Sequence, residues 1–150
     1  MKVKAAFVAL SLFCAAAWAG PIEEVAAFGA PRAKAFSAGD VEGWTAAYAE
    51  NGAWFSQFSP YRIDGRAAIR AYFVDFFNRY PGSRNFLLHQ PAFRAYGENL
   101  VVGDGYYQLT VTDKAGKTAT THARYTVTWA KFEGRWQIVS QHNAPVPPSN

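Results

Sequence analysis

The chain has 150 residues, of which half are hydrophobic, 17% aromatic and only 17% charged. That balance argues against a disordered chain or a solvated helical rod, and it suffices for one domain with its own core but not for two. Lys and Arg outnumber Asp and Glu by 15 to 11, a small excess without any basic run, which argues against nucleic-acid binding through phosphate neutralisation.

Lys2 and Lys4 precede an apolar run from Ala5 through Ala17, and Ala17-Trp18-Ala19 stands ahead of Gly20 and Pro21. Charge, hydrophobic stretch and A-x-A site together predict a secretory signal peptide over residues 1–19. The run is shorter than the ~18 apolar residues of a membrane-spanning helix. Cleavage would leave 131 residues with 13 Lys and Arg against 11 Asp and Glu, with a periplasmic or secreted destination and no membrane association. Phe13 before Cys14 is unsuited to lipoprotein processing. Met1 and Cys14 would leave with the signal, so disulfides, thiolate nucleophiles and cysteine metal ligands are not expected in the mature chain.

The mature chain is expected to form a domain over residues 20–146 with a Pro-rich tail over 147–150. Ile22 to Ala38 reads as helical, with Pro31 kinking or starting the helix. Gly39-Asp40 ends it and caps a second helix, Val41 to Ala49, whose Val41, Trp44, Thr45 and Tyr48 fall at helical spacing. Ala53 to Ser56 reads as a short strand, followed by a turn-forming loop with Pro60-Tyr61-Arg62 and Asp64-Gly65. From Arg66 to Tyr80 the residues Ile69, Tyr72, Phe73, Phe76, Phe77 and Tyr80 line one helix face. Burying those six at ~1.5–3 kcal/mol each gives at most roughly 9–18 kcal/mol, so this helix should press on a sheet. Pro81-Gly82 stops it.

The period then changes to two. Phe86 to Ala95, Leu100 to Thr112, Thr118 to Lys131 and Arg135 to Asn143 read as four strands joined by short turns, hence antiparallel neighbours. Tyr125, Val127 and Trp129 alternate with Arg124, Thr126 and Thr128, and Tyr107, Leu109 and Val111 alternate with Tyr106, Gln108 and Thr110. One sheet face is therefore apolar and the other Thr-rich. From Ala144 the Pro-rich end carries no core signal. The expected architecture is α+β, a curved antiparallel sheet packed on three N-terminal helices.

Several runs carry a family resemblance: Gly39-Asp40-Val41-Glu42-Gly43-Trp44-Thr45, Pro91-Ala92-Phe93-Arg94-Ala95-Tyr96-Gly97-Glu98, and Trp129 through Glu133-Gly134-Arg135-Trp136-Gln137-Ile138-Val139 to His142. Over residues 22–146 the chain resembles the cystatin-like nuclear transport factor 2 superfamily, and within it the association domain of calcium/calmodulin-dependent protein kinase type II. Arg124-Tyr125-Thr126-Val127 is similar to the SnoaL-like branch. The resemblance implies a half-barrel cone enclosing a pocket and self-association through the exposed sheet face, giving a homodimer or larger assembly. It does not imply kinase activity, since no Gly-rich nucleotide loop or catalytic Asp loop is present. The family's pocket arginines align with Gln108, Val127 and Asn143, although alternation puts Val127 on the apolar face and Gln108 on the Thr-rich one; a β-bulge would reconcile them.

The residues themselves suggest a ligand site rather than a catalytic one. Trp44, Tyr48, Trp54, Tyr107, Tyr125 and Trp129 can line an apolar cavity with polar tips for a small molecule, or simply fill the core. Arg124 facing outward would join His122 and Thr126 in an interface, as alternation favours; facing inward it would anchor a carboxylate or phosphate. His142 shares a face with Trp136 and Ile138 if its strand is regular, pointing into the core or the pocket mouth. His89, His122 and His142 lie on three strands without a metal-ligand spacing, so neither metal nor cofactor is expected. The alternative is a cofactor-free isomerase, dehydratase or cyclase acting on a small apolar carbonyl compound, with Asp104 or His142 as base. A glycine-flanked Asp104 equally suits a bulge, and no G-x-S-x-G elbow exists.

Overall fold

The computed structural model describes residues 19–147. The expected export signal, with Met1 and Cys14, lies outside the described residues except for Ala19, as do the last three residues of the tail.

What reads as one helix over 22–38 is two, α1 (Pro21–Ala26) and α2 (Gly29–Ala38). The chain breaks at Ala27 and Phe28, which leaves Pro31 in the first turn of α2, where its missing N–H forfeits no helical bond. Gly39 ends α2 in the left-handed region at φ 72°. Asp40 then caps α3 (Val41–Thr45), its side chain accepting from the Gly43 N–H at 2.9 Å. The second helix is shorter than its spacing predicts, because Tyr48 already belongs to a strand, β1 (Tyr48–Phe55). β2 (Arg62–Asp64) forms inside the expected loop, and the aromatic helix α4 runs Arg66–Arg79.

β3 (Arg84–Ala95), β4 (Leu100–Thr112), β5 (Thr118–Phe132) and β6 (Arg135–Pro145) complete a six-stranded sheet in the order β2-β1-β6-β5-β4-β3. All pairs are antiparallel except β1 with β6, which run parallel, so the sheet is mixed rather than wholly antiparallel. The long connection through β2, α4 and three strands permits this, since parallel neighbours need a crossover rather than a hairpin. β6 also extends past the expected end: Pro145 pairs with Ala123, and the Val146 N–H donates to the His122 carbonyl at 3.1 Å.

The apolar sheet face and the helices close on one core. Ile69, Phe73, Phe76 and Phe77 of α4 are buried against it, while Tyr72 and Tyr80 at the edges of that stripe pack from its rim. Phe36 of α2 stands at the centre, with the rings of Trp44, Phe77, Phe86, Phe76 and Phe73 at 5.0 to 6.3 Å. Such tilted and edge-on pairs add ~0.5–1.5 kcal/mol each beyond their buried area. Glu24 pins α1 to the sheet, accepting from Lys131 Nζ at 2.6 Å and Trp136 Nε1 at 2.5 Å.

Two irregularities decide which side chains face inward. On β6, Ser140 pairs with Thr128 but Ile138 pairs with Trp129, leaving Val139 as an extra residue. The bulge inverts the alternation beyond it. Trp136 and Ile138 face the core, then Gln141 and Asn143 do so, and His142 turns outward. On β3, Gln90 and Pro91 bulge opposite Gly105, where a Cβ would sit 3.0 Å from the Gln90 carbonyl oxygen.

Candidate ligand cleft and outer sheet face

A small cleft opens between α1–α2 and the inner face of the sheet. Trp44, Phe86, Tyr107, Tyr125, Trp129 and Gln141 are among its walls. Its one charged lining residue is Arg32 of α2. The guanidinium lies 4.2 Å from the Trp44 ring centre, 5.6 Å from Tyr48 and 5.8 Å from Trp129. Nε donates to the Trp44 carbonyl at 3.4 Å, while Nη2 is buried without a hydrogen-bond partner. Burial pulls the guanidinium below its ordinary pKa, opposed by Tyr48. Arginine starts so high that it stays charged, so this is a cation in an aromatic box.

Polar tips converge deeper inside. Tyr48, fully buried, donates through its hydroxyl to Gln141 Oε1 at 2.7 Å, and Gln141 Nε2 donates to Asn143 Oδ1 at 3.2 Å. Tyr107 donates to Gln57 Oε1 at 2.9 Å. Burial pushes the Tyr48 hydroxyl up to about 12, against the pull of Arg32. It pushes Tyr125 up to about 12 as well, aided by the charge of Asp104. Tyr107 is raised further still by burial and by the neighbouring Tyr72 and Tyr48.

Four of the expected ligand-facing residues, Tyr48, Trp54, Tyr107 and Tyr125, therefore stand in the interior. Tyr107 and Tyr125 line this cleft, Trp54 a second one deeper in, and Tyr48 lies behind the Arg32 box. Arg124 and His142 do not join them. Both line a groove on the outer sheet face with Asp104, Tyr106 and Thr126. The expectation that His142 points toward the core is corrected by the Val139 bulge; its ring lies against Phe55 at 5.3 Å instead. Asp104 also sits outside the cleft, its carboxylate engaged by Arg94. Gln108, opposite His122 in a regular stretch, faces outward, whereas Val127 and Asn143 are buried on the inner face. No bulge on β4 or β5 brings Gln108 round to join them.

His89, His122 and His142 share the outer face but pair with Tyr106, Gln108 and Thr126, three different positions along the strands. Among the described residues no group of His, Cys, Asp and Glu side chains is placed to hold a metal ion.

Sequence reasoning missed Arg32 and Gln141. Arg32 carried a signal: Val25, Phe28, Arg32 and Phe36 follow one another at steps of three, four and four, the apolar stripe of a helix pair. Gln141 carried none, since only the bulge turns it inward.

Residues 22–147 match the family described as calcium/calmodulin dependent protein kinase II association domain. A solved structure from Xanthomonas campestris assigned to that association domain is 27% identical, with a TM-score of 0.75, covering 88% of this chain and 95% of its own. A nuclear transport factor 2-like superfamily protein from Salmonella enterica is 18% identical with a TM-score of 0.77, over 87% of this chain and 94% of its own. A Streptomyces avermitilis protein assigned as a dehydratase of the same superfamily is 14% identical with a TM-score of 0.74, over 85% of this chain and 98% of its own. The last two likenesses concern the fold alone. No curated protein matches the sequence.

Proposed function

Because this chain belongs to the calcium/calmodulin dependent protein kinase II association domain family, we propose that it is an exported self-associating module which pairs through its outer sheet face and holds a small apolar ligand in its inner cleft. The observation that carries the reading is the division of the sheet into two unlike faces. The inner face is closed over by α1, α2, α3 and α4 around a hollow. The outer face, with its Thr110–Thr120 and Thr112–Thr118 hydroxyl pairs and the groove at Tyr106, Arg124 and His142, is covered by no helix of the described residues. Tyr106 remains 47% exposed there, an aromatic anchor of the kind interfaces favour. The enzyme reading loses its candidate bases, since Asp104 and His142 both lie outside the cleft.

Tyr106→Glu tests the interface. The new carboxylate would face Arg124, its direct cross-strand partner, so the single subunit gains a favourable pair while the interface must bury an extra charge. Sedimentation of the unaltered protein at micromolar concentration should give a dimer or larger species, and the variant should dissociate at least tenfold more readily. A monomer in the unaltered protein would remove the self-association reading. For export, the mass of the protein recovered from its host should correspond to a chain beginning at Gly20; an intact Met1 would refute the signal.

A further inference from the structure

The inner cleft is one of three that adjoin in the interior, neighbours sharing wall residues. It shares Trp44, Phe86, Tyr107 and Gln141 with a second cleft, which shares Phe58, Tyr72, Phe76 and Leu109 with a third. The walls of all three contain no Asp or Glu. Arg32 stands in the first of these clefts with a buried Nη2 that nothing accepts from and no carboxylate among the lining residues. A buried cation without a counter-charge is costly, and a guanidinium matches a carboxylate in a two-pronged hydrogen bond. Polar tips around the clefts engage one another, Tyr48 with Gln141, Gln141 with Asn143 and Ser56 with Tyr72. Most of the remaining lining is apolar, apart from the unpaired Trp44 indole N–H and, in the third cleft, Arg79, Thr120 and Thr121.

We propose that the adjoining clefts join into one passage that takes a linear aliphatic monocarboxylate, its carboxylate on Arg32 and its tail running between Tyr107 and Phe76 toward Val111. The inference rests on the reading of the cleft as a ligand site. It adds the charge, the shape and the direction of the occupant. Arg32 is the cation with a buried, unpartnered nitrogen, whereas Arg79 at the far cleft is exposed to solvent. One buried cation selects one anionic group, and a row of narrow clefts fits an unbranched tail better than a compact ring.

The test titrates the protein with decanoate, butyrate and 1-decanol, following the tryptophan emission of Trp44 and Trp129, which flank Arg32. Decanoate should bind at least tenfold more tightly than either of the others. Arg32→Met should weaken decanoate tenfold or more and leave 1-decanol unchanged; should that variant fail to fold, Arg32→Gln serves in its place. Leu109→Trp, narrowing the middle of the passage, should bring decanoate toward butyrate. Equal binding of butyrate and decanoate would overturn the linear tail. Equal binding of decanoate and 1-decanol, with no effect of the Arg32 variants, would overturn the acid head while leaving the cleft a ligand site. Binding of none of the three would overturn the inference whole; a co-purified molecule of another class would then show that the ligand-site reading survives it, and an empty protein that both fail.

Discussion

Phe36→Ala is expected to destabilise the protein by about 3–5 kcal/mol, the range for removing a buried phenylalanine ring. Against a typical total of about 5–15 kcal/mol, that is a large fraction of the whole. Phe36 is 3% exposed and touches five aromatic rings drawn from α3, α4 and β3. No small shift of one neighbour can refill the space. Phe58→Ala is the control, because Phe58 is 52% exposed and its truncation should change stability by less than about 1 kcal/mol. Urea unfolding of both variants checks the pair. Similar small losses for the two would mean that the helices do not close on the sheet through Phe36.

Alkaline pH should unfold the protein through its buried tyrosines. Tyr48 and Tyr125 are both pushed up to about 12 by burial, from about 10 in an unfolded chain. A folded state that holds a proton more tightly than the unfolded one is stabilised fully below the unfolded pKa, and loses that stability as pH rises toward the folded pKa. Stability should therefore be level to about pH 10 and fall by roughly 3 kcal/mol per tyrosine between about pH 10 and 12. Tyr107, raised in the same direction, steepens the fall. Tyr48→Phe should lower stability at neutral pH by about 1–3 kcal/mol, because Gln141 Oε1 loses its buried donor. It should also flatten the alkaline slope. Urea unfolding across this range, with tyrosinate absorbance followed in parallel, checks both. Tyrosines that ionise near pH 10 without loss of structure would show that they are solvated.

Much of the fold was legible because its signals are local. The aromatic stripe of α4 repeats at helical spacing, Gly39 and Asp40 are the residues a left-handed stop and an N-cap require, and β4 and β5 alternate strictly. The faces of those two strands follow alternation, which favours Arg124 outside and Tyr125 inside; the structure places Arg124 on the outer face, so the alternative of an inward anchor for a carboxylate or phosphate does not hold. Tyr48 misled because its spacing from Trp44 fits a helix. What makes it a strand residue is pairing with Ile138, ninety positions away, where no local pattern reports. The same distance hides the parallel β1–β6 pairing. His142 misled for a related reason: the rule of two is exact only in a regular strand, and the single extra residue Val139 reverses every side chain after it. Arg32 was visible in principle. A cation on an apolar helical stripe is either an error of register or a buried charge, and here it is the latter.

The sheet has two unlike faces, one closed over by helices around a hollow and one covered by no helix of the described residues, proposed respectively to hold a ligand and to pair with a second copy. Native mass spectrometry of protein purified from its own host addresses both at once. The account predicts masses at whole multiples of a subunit beginning at Gly20, each subunit carrying additional mass released on unfolding as an acid with an aliphatic tail. A bare single subunit, without companion or cargo, would contradict it.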